Sequence, residues 1–524
     1  MSKIKVFVVF VLVACFSIFG AVSCDDDSSS TTVDKSQETE GALSVSELLE
    51  NPVYDMGVEI YGEVSLLGQL DCPCFELASG GERVRVWYDL MVEDDGTKRA
   101  SASVEKIADG DSVAVAGELK TQGKYRLLND FWASSIEKTP TAEGLNLEKT
   151  YGDGKLYKAG EINVVVLNGN YYEMGQQYGN LLKAELNSFY EATWESFTEE
   201  EQNAVLMLIG ELSSGYTTRQ LEILQGMAET SGLTITELML LDQNIGVSFI
   251  QFACSYIAAW GPYTADGTLI VGRNFDWFKP FNEPWSPYLT VVVYNPTSGG
   301  HSCATVGYAG MVNGLTGIND QSLFIEMNNG TNSMGTQTFL KNRTCYLNDM
   351  LNFLWDAGSM ETLGKLIETT RAMTPVIINV ANGEESFSYE NAPFETRKRG
   401  PNQPGLLVAT NHYMLPSWGI LNRPSPTRSL ERYDNLLKLG NKYKGTIDVN
   451  VMQAILDTTL DNGGATEVLA EDTGTNPDLT MYQVVAIPSE KKIWVKTPNY
   501  PDDTGSSWTL IDLNSLFTTN NPGV

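Results

Sequence analysis

The chain has 524 residues, 42% of them apolar and 19% charged, enough to bury more than one hydrophobic core. Acidic residues outnumber basic ones 66 to 35, a net charge of −31, which argues against a nucleic-acid partner because phosphate binding needs clustered Lys and Arg. With only two histidines, His301 and His412, no histidine-rich metal site can form; there is no HExxH or P-loop motif, and no cofactor or metal is expected.

The N-terminus reads as an export signal. Lys3 and Lys5 precede an apolar run from Val6 to Val22 that is short for a membrane span. The run ends in "AVSC" followed by "DDDSSSTT". This resembles a bacterial lipoprotein signal over residues 1–24, which implies a lipid on Cys24, anchorage to a membrane and a place in the cell envelope. Residues 25–42 are too polar to bury a core and read as a disordered tether. Export implies an oxidising compartment, where disulfides are allowed. Of seven cysteines, Cys72, Cys74, Cys254, Cys303 and Cys345 remain after the signal and the lipid site, so at least one stays unpaired within the chain.

Residues 43–140 alternate apolar and polar positions in short runs separated by Gly and Asp turns. The pattern predicts an OB-like β-barrel. It carries 18 acidic residues against 9 basic, so a spacer or protein-contact role fits it better than nucleic-acid binding. "CPC" at 72–74 has no further metal ligands near it and reads as a local disulfide or two free thiols. A polar stretch over 139–154 reads as a linker.

Residues 150–253 open on a strand, "EINVVVLNGN", and continue as helix entered through Gly175 and Gly179. Thr217 with Gln220, and Thr234 with Glu237, have capping-box spacing. Beyond Cys254 the texture turns to strands, from "TLIVGRNFDW" to "KIWVKTPN", with helices near 346–371, 428–440 and 449–459. Sheets covered by helix pairs, an α+β class, are expected for residues 254–524.

Cys254 raises the chemical question, because a thiol attacks only as thiolate. His412 lies far along the chain. A cut between Ala253 and Cys254 would create an α-amine, with a reference pKa of about 7.7–8.0, on the residue that carries the thiol. Nucleophile and base would then be one residue.

Here the sequence resembles the cysteine N-terminal-nucleophile (Ntn) hydrolases, in the group of penicillin acyltransferase-like proteins, with choloylglycine hydrolases and penicillin V acylases as wider relatives. The resemblance covers roughly residues 160–500 and rests on "AAWGPYTADGTLIVGRNFDW", "YEMGQQYG", "TGIND", "ATNHY" and "SLERYDNLL". It implies a four-layer αββα sandwich, with 150–253 as a helical propeptide or small subunit and 254–524 as the catalytic core. It further implies that Cys254 is the nucleophile, Arg273 and Asp276 its electrostatic partners, Asn411 an oxyanion donor and Arg432 the second catalytic arginine. The second oxyanion donor would be a backbone N–H at Asn328 or Asn329, with Asn329 taken for the role. Two arginines near the sulfur are expected to favour thiolate.

The expected function is an exported, autoprocessed amidohydrolase or acyltransferase acting on a small-molecule amide or thioester through a Cys254 acyl-enzyme. Its rivals are a lipid-anchored binding protein on the same scaffold and a phospholipase-like ester hydrolase.

Overall fold

The computed structural model describes residues 43–79, 82–89, 91–92, 98–99, 102–105, 107–109, 111–120, 130–138, 144–194, 197–212, 215–247, 254–278, 285–330, 333, 346–421, 427–468, 478–498 and 507–518. The signal, Cys24, the tether, Cys345 and Ala253 lie outside them.

Five strands close the N-terminal barrel: β1 (Gly57–Ser65), β2 (Cys74–Ser79), β3 (Glu82–Trp87), β4 (Ser112–Leu119) and β5 (Asp130–Lys138). Their order is β1-β2-β3-β5-β4 and back to β1, with β3 and β5 parallel and the other pairs antiparallel. Alternate residues such as Ile60, Val64, Phe75, Val84, Val115 and Phe131 fill the interior. That is the alternation read from the sequence. Cys72 and Cys74 form a disulfide.

The linker reading of 139–154 needs correction. Asn146–Tyr151 (β6) and Gly154–Ala159 (β7) form a hairpin that continues into β8 (Ile162–Gly169), and all three belong to a ten-stranded sheet. Their polar residues face outward at the sheet's end, which is why the stretch looks like a linker. After β8, as the sequence reads, residues 150–253 turn helical, with five helices among the described residues: α1 (Tyr171–Leu181), α2 (Lys183–Trp194), α3 (Glu199–Leu212), α4 (Thr218–Ser231) and α5 (Ile235–Val247).

Both capping boxes form. The Gln220 side chain accepts from the Thr217 N–H at 3.1 Å, and that of Glu237 from the Thr234 N–H at 2.7 Å. Gly175 and Gly179 do not start a helix. The first turn is capped by Asn170 and Glu173, and the two glycines lie inside α1. A Cβ on Gly175 would strike the Ile223 carbonyl of α4, and one on Gly226 the Tyr172 carbonyl of α1. The glycines let two backbones touch.

The rest of the chain supplies β9 (Ser255–Ala259), β10 (Ile270–Phe278), β11 (Leu289–Pro296), β12 (Cys303–Tyr308), β13 (Thr316–Asn319) and β14 (Phe324–Asn329). Helices α6 (Tyr346–Asp356) and α7 (Met360–Thr369) follow, then β15 (Val376–Ala381), β16 (Ser386–Ala392), β17 (Glu395–Arg399) and β18 (Leu406–Ala409). Helices α8 (Thr427–Lys442) and α9 (Val449–Asp457), and strands β19 (Asp478–Ile487), β20 (Lys492–Lys496) and β21 (Thr509–Asp512), complete it.

The ten-stranded sheet runs β17-β16-β15-β14-β13-β12-β11-β8-β7-β6, parallel only at β8–β11. A second sheet runs β18-β9-β10-β19-β20-β21, all antiparallel. Tyr256, Ala258, Val271 and Phe275 of the second sheet join the core shared with the first. Their neighbours Ile257, Ala259 and Ile270 join Leu436, Met452 and Ile455 of α8 and α9 instead. Period-two alternation thus gives β9 and β10 one face toward the other sheet and one toward helices.

Gly226→Ala is expected to lower the unfolding free energy by about 1–3 kcal/mol, although Ala is the better helix former by about 1 kcal/mol, because the backbone seam has no room. Urea unfolding at neutral pH checks this.

Candidate active site

Cys254 immediately precedes β9, the strand next to β10, which carries Arg273 and Asp276. Its parity with Tyr256 points the thiol toward the ten-stranded sheet, where it is buried. Arg273, which pairs with Tyr256, points the same way. Its Nη2 lies 4.0 Å from Cys254 Sγ. Its Nη1 crosses to the facing sheet, where it donates to Glu326 of β14 and, at 3.0 Å, to the Leu315 carbonyl. Glu326 also accepts from Asn379 of β15.

Arg432 of α8 arrives from the opposite face of the second sheet. Its Nη1 donates to the Cys254 carbonyl at 2.6 Å and lies 3.6 Å from Asp276 Oδ2. Its Nη2 donates to Asn411 Oδ1 at 3.0 Å, and its Nε lies 3.5 Å from Glu467. Asn411 in turn donates through Nδ2 to the Asn329 carbonyl at 3.0 Å, and its own N–H goes to Ser429 Oγ at 3.0 Å. Asp276 accepts from Thr480 Oγ1 at 2.6 Å, while its N–H is directed at the Cys254 sulfur. The skipped residue between Phe275↔Tyr482 and Asp276↔Thr480 is a β-bulge that places the acid at this edge.

Cys254, Arg273, Asp276, Asn411 and Arg432, far apart in sequence, therefore form one buried, hydrogen-bonded cluster. Asn329 belongs to it through its carbonyl oxygen. Three further members escaped the sequence reading: Glu326, Glu467 and Thr480. For Glu326 a signal was present, since it is the one acid in the apolar strand "SLFIEMNNG" and lands on an inward position.

The electrostatic expectation needs correction. Neither arginine is a free positive charge, because Arg273 pairs with Glu326, and Arg432 with Asp276 and Glu467. Burial pushes the Cys254 thiol up to about 12; Arg273 pulls it down, while the Asp276 and Glu326 charges add to the rise. In the continuous chain the sulfur is a thiol near neutral pH. Burial also raises Glu326 to about 7, against the pull of Arg273.

His412 hydrogen-bonds through Nδ1 to Ser429 Oγ at 2.9 Å and Thr410 Oγ1 at 3.1 Å. It braces the turn that carries Asn411. Burial, with Arg399 and Arg432 nearby, lowers its pKa to about 4, so it is neutral at physiological pH. Among the described residues no three His, Cys, Asp or Glu side chains group as metal ligands would.

No protein-family model matches the chain. Two curated proteins of Dictyostelium discoideum are similar in sequence: protein dcd1A, 29% identical over 287 residues, and protein dcd1B, 25% identical over 268. The matches take in 47% and 45% of this chain but only 63% and 51% of those relatives. Similar solved structures include a variant of conjugated bile acid hydrolase from Clostridium perfringens, at 15% identity and a TM-score of 0.36, covering 52% of this chain and 100% of that one. A second is a penicillin V acylase from Agrobacterium tumefaciens, at 13% identity and TM-score 0.37, covering 51% and 89%. A third is the Caenorhabditis elegans ortholog of N-acylethanolamine-hydrolyzing acid amidase, at 16% identity and TM-score 0.32, covering 49% and 100%. At such low TM-scores none of them fixes an activity for this chain.

Two outcomes follow from the electrostatics. Glu326→Gln removes a negative charge near the sulfur, so the midpoint of iodoacetamide reactivity against pH shifts downward, while breaking the buried pair costs roughly 3–5 kcal/mol of stability. The neutral folded form of His412 contributes stability that is complete above its unfolded pKa of 6.5 and is lost as pH falls toward about 4. Against wild type, His412→Gln should flatten the fall in urea midpoint across that window.

Proposed function

We propose that this chain is a cysteine Ntn hydrolase with a four-layer αββα core, cut before Cys254 and acting on a linear amide or thioester. The observation that supports this reading most is the surroundings of Cys254. A buried thiol beside Arg273 has the Asp276 N–H aimed at its sulfur, and Arg432, 3.6 Å from Asp276, holds the residue's carbonyl. No histidine interaction reaches the sulfur among the described residues. The thiol needs a base, and among the described residues no histidine supplies one.

The cut supplies it. The new α-amine of Cys254, oriented by Asp276, takes the thiol proton. Sγ then adds to the substrate carbonyl carbon, and the developing oxyanion receives hydrogen bonds from Asn411 Nδ2 and the Asn329 N–H. One such donor is typically worth about 10²–10³ in rate. The tetrahedral adduct collapses as the C–N bond breaks, and the departing nitrogen takes the proton back from the α-ammonium. Water adds to the thioester, giving a carboxylic acid and the free thiol; an amine in its place gives transfer. Arg432, on the Cys254 carbonyl, fixes the residue during these steps and is a positioning group. Arg273 steadies the thiolate.

We further propose the lipid anchor on Cys24, the envelope location and a protein-contact role for the acidic barrel. They rest on the sequence alone.

Purified protein should contain a chain whose first residue is Cys254, seen by intact mass and N-terminal sequencing, and should hydrolyse N-acyl amides. Cys254→Ala should remain one chain and lose activity by more than about 10³-fold. A Cys254→Ala protein that still splits and still cleaves amides contradicts the assignment.

A further inference from the structure

Asn328 sits in β14 between two residues already tied to the cluster, Glu326 and Asn329. On a strand, Asn328 shares its face with Glu326, and that face looks across to Arg273. Arg273 Nη1 lies 3.4 Å from the Met327 carbonyl, whose carbon is bonded to the Asn328 nitrogen. On the other side, the Asn329 carbonyl accepts from Asn411 at 3.0 Å. The Asn328 side chain therefore starts within one residue of both arms that lead to Cys254.

That side chain is fully buried, yet neither Oδ1 nor Nδ2 has a hydrogen-bond partner. A buried carboxamide with both its acceptor and its donors unpaired is costly, and folded proteins rarely keep one without a use. The neighbours do not absorb it. Asn379 on the adjacent strand spends its Nδ2 on Glu326, and the residue facing Asn328 in that strand is Ile377. Asn328 thus differs from Asn411 and Asn379. Asn411 and Asn379 are engaged, and Asn328 alone keeps a complete amide edge.

We infer that the Asn328 carboxamide is a specificity group for secondary-amide substrates: Oδ1 accepts from the N–H of the scissile amide, and Nδ2 donates to a carbonyl oxygen of the substrate. An N–H that meets Oδ1 is a match that an ester, having no N–H, cannot make. This rests on the proposed function, and it adds that the protein favours amides over esters of the same acyl chain.

The test uses the processed protein and two probes with one acyl chain, a p-nitroanilide and the corresponding p-nitrophenyl ester. Asn328→Ala and the near-isosteric Asn328→Leu are compared with wild type through the ratio of their kcat/KM values, so that the intrinsic reactivity of the probes cancels. The ratio of amide to ester should fall by roughly ten- to a hundredfold in both variants, because the acceptor for the amide N–H is gone. Thermal midpoints should hold or rise, since an unpaired buried polar group has been removed. A lowered midpoint in both variants means a structural role and overturns the inference. So does an unchanged ratio in variants that still turn over, which leaves the Cys254 reading standing. If wild type cleaves neither probe and shows no chain beginning at Cys254, the underlying function fails and this inference falls with it.

Discussion

The Arg273–Glu326 ion pair, with both side chains fully buried, is the interaction on which the rest of the site depends. Arg273 stands on the second sheet and Glu326 on the first, so the pair clamps the two sheets at the one place where Cys254 emerges. Isolated, either charge would carry a large desolvation cost in that interior. Together, and with Asn379 and the Leu315 carbonyl completing the hydrogen bonds, they offset part of that cost, and burial still raises Glu326 to about 7. Everything around Cys254 takes its position from this clamp: the thiol beside Arg273, Asn328 two residues along from Glu326, and Asn329 within reach of Asn411.

The opposite face repeats the device. Arg432 comes in from a helix and is held by Asp276 and Glu467, and it holds both the Cys254 carbonyl and Asn411. The two arginines thus approach Cys254 from the two faces of one sheet, one at the sulfur and one at the backbone. Because each is paired with carboxylates, the cluster does not form a strongly positive pocket, and burial outweighs Arg273 and keeps the thiol protonated in the continuous chain. Such a site is chemically quiet until a base appears. An amine released at Cys254 itself would be that base, which makes a cut there a switch as well as a processing step.

Much of this was legible in the sequence, and the parts that were not have physical reasons. Strands with an alternating or continuous apolar signature, such as Ile270–Phe278 and Val376–Ala381, fall where the pattern predicts them, and so do the capped helices. The hairpin Asn146–Ala159 was missed because strands at the end of a sheet carry lysines and turn residues on an open face. Gly175 and Gly179 were visible, but their purpose was not, since a backbone seam between α1 and α4 is a long-range fact. Spacing and resemblance brought together Cys254, Arg273, Asp276, Asn411 and Arg432. Glu326 and Glu467 stayed hidden because their partners are arginines some 53 and 35 positions away on other elements. The expectation that the arginines would favour thiolate failed because burial raises the Cys254 thiol more than Arg273 lowers it, with Asp276 and Glu326 adding to the rise.

The most direct test of the account is to trap the intermediate. Protein mixed with an activated N-acyl substrate, quenched in acid within the first turnover and digested, should yield a peptide that begins at Cys254 and carries the acyl mass on its sulfur. The adduct should disappear on treatment with neutral hydroxylamine. Acyl mass on any other residue, or turnover with Cys254 unmodified and still joined to Ala253, would contradict it.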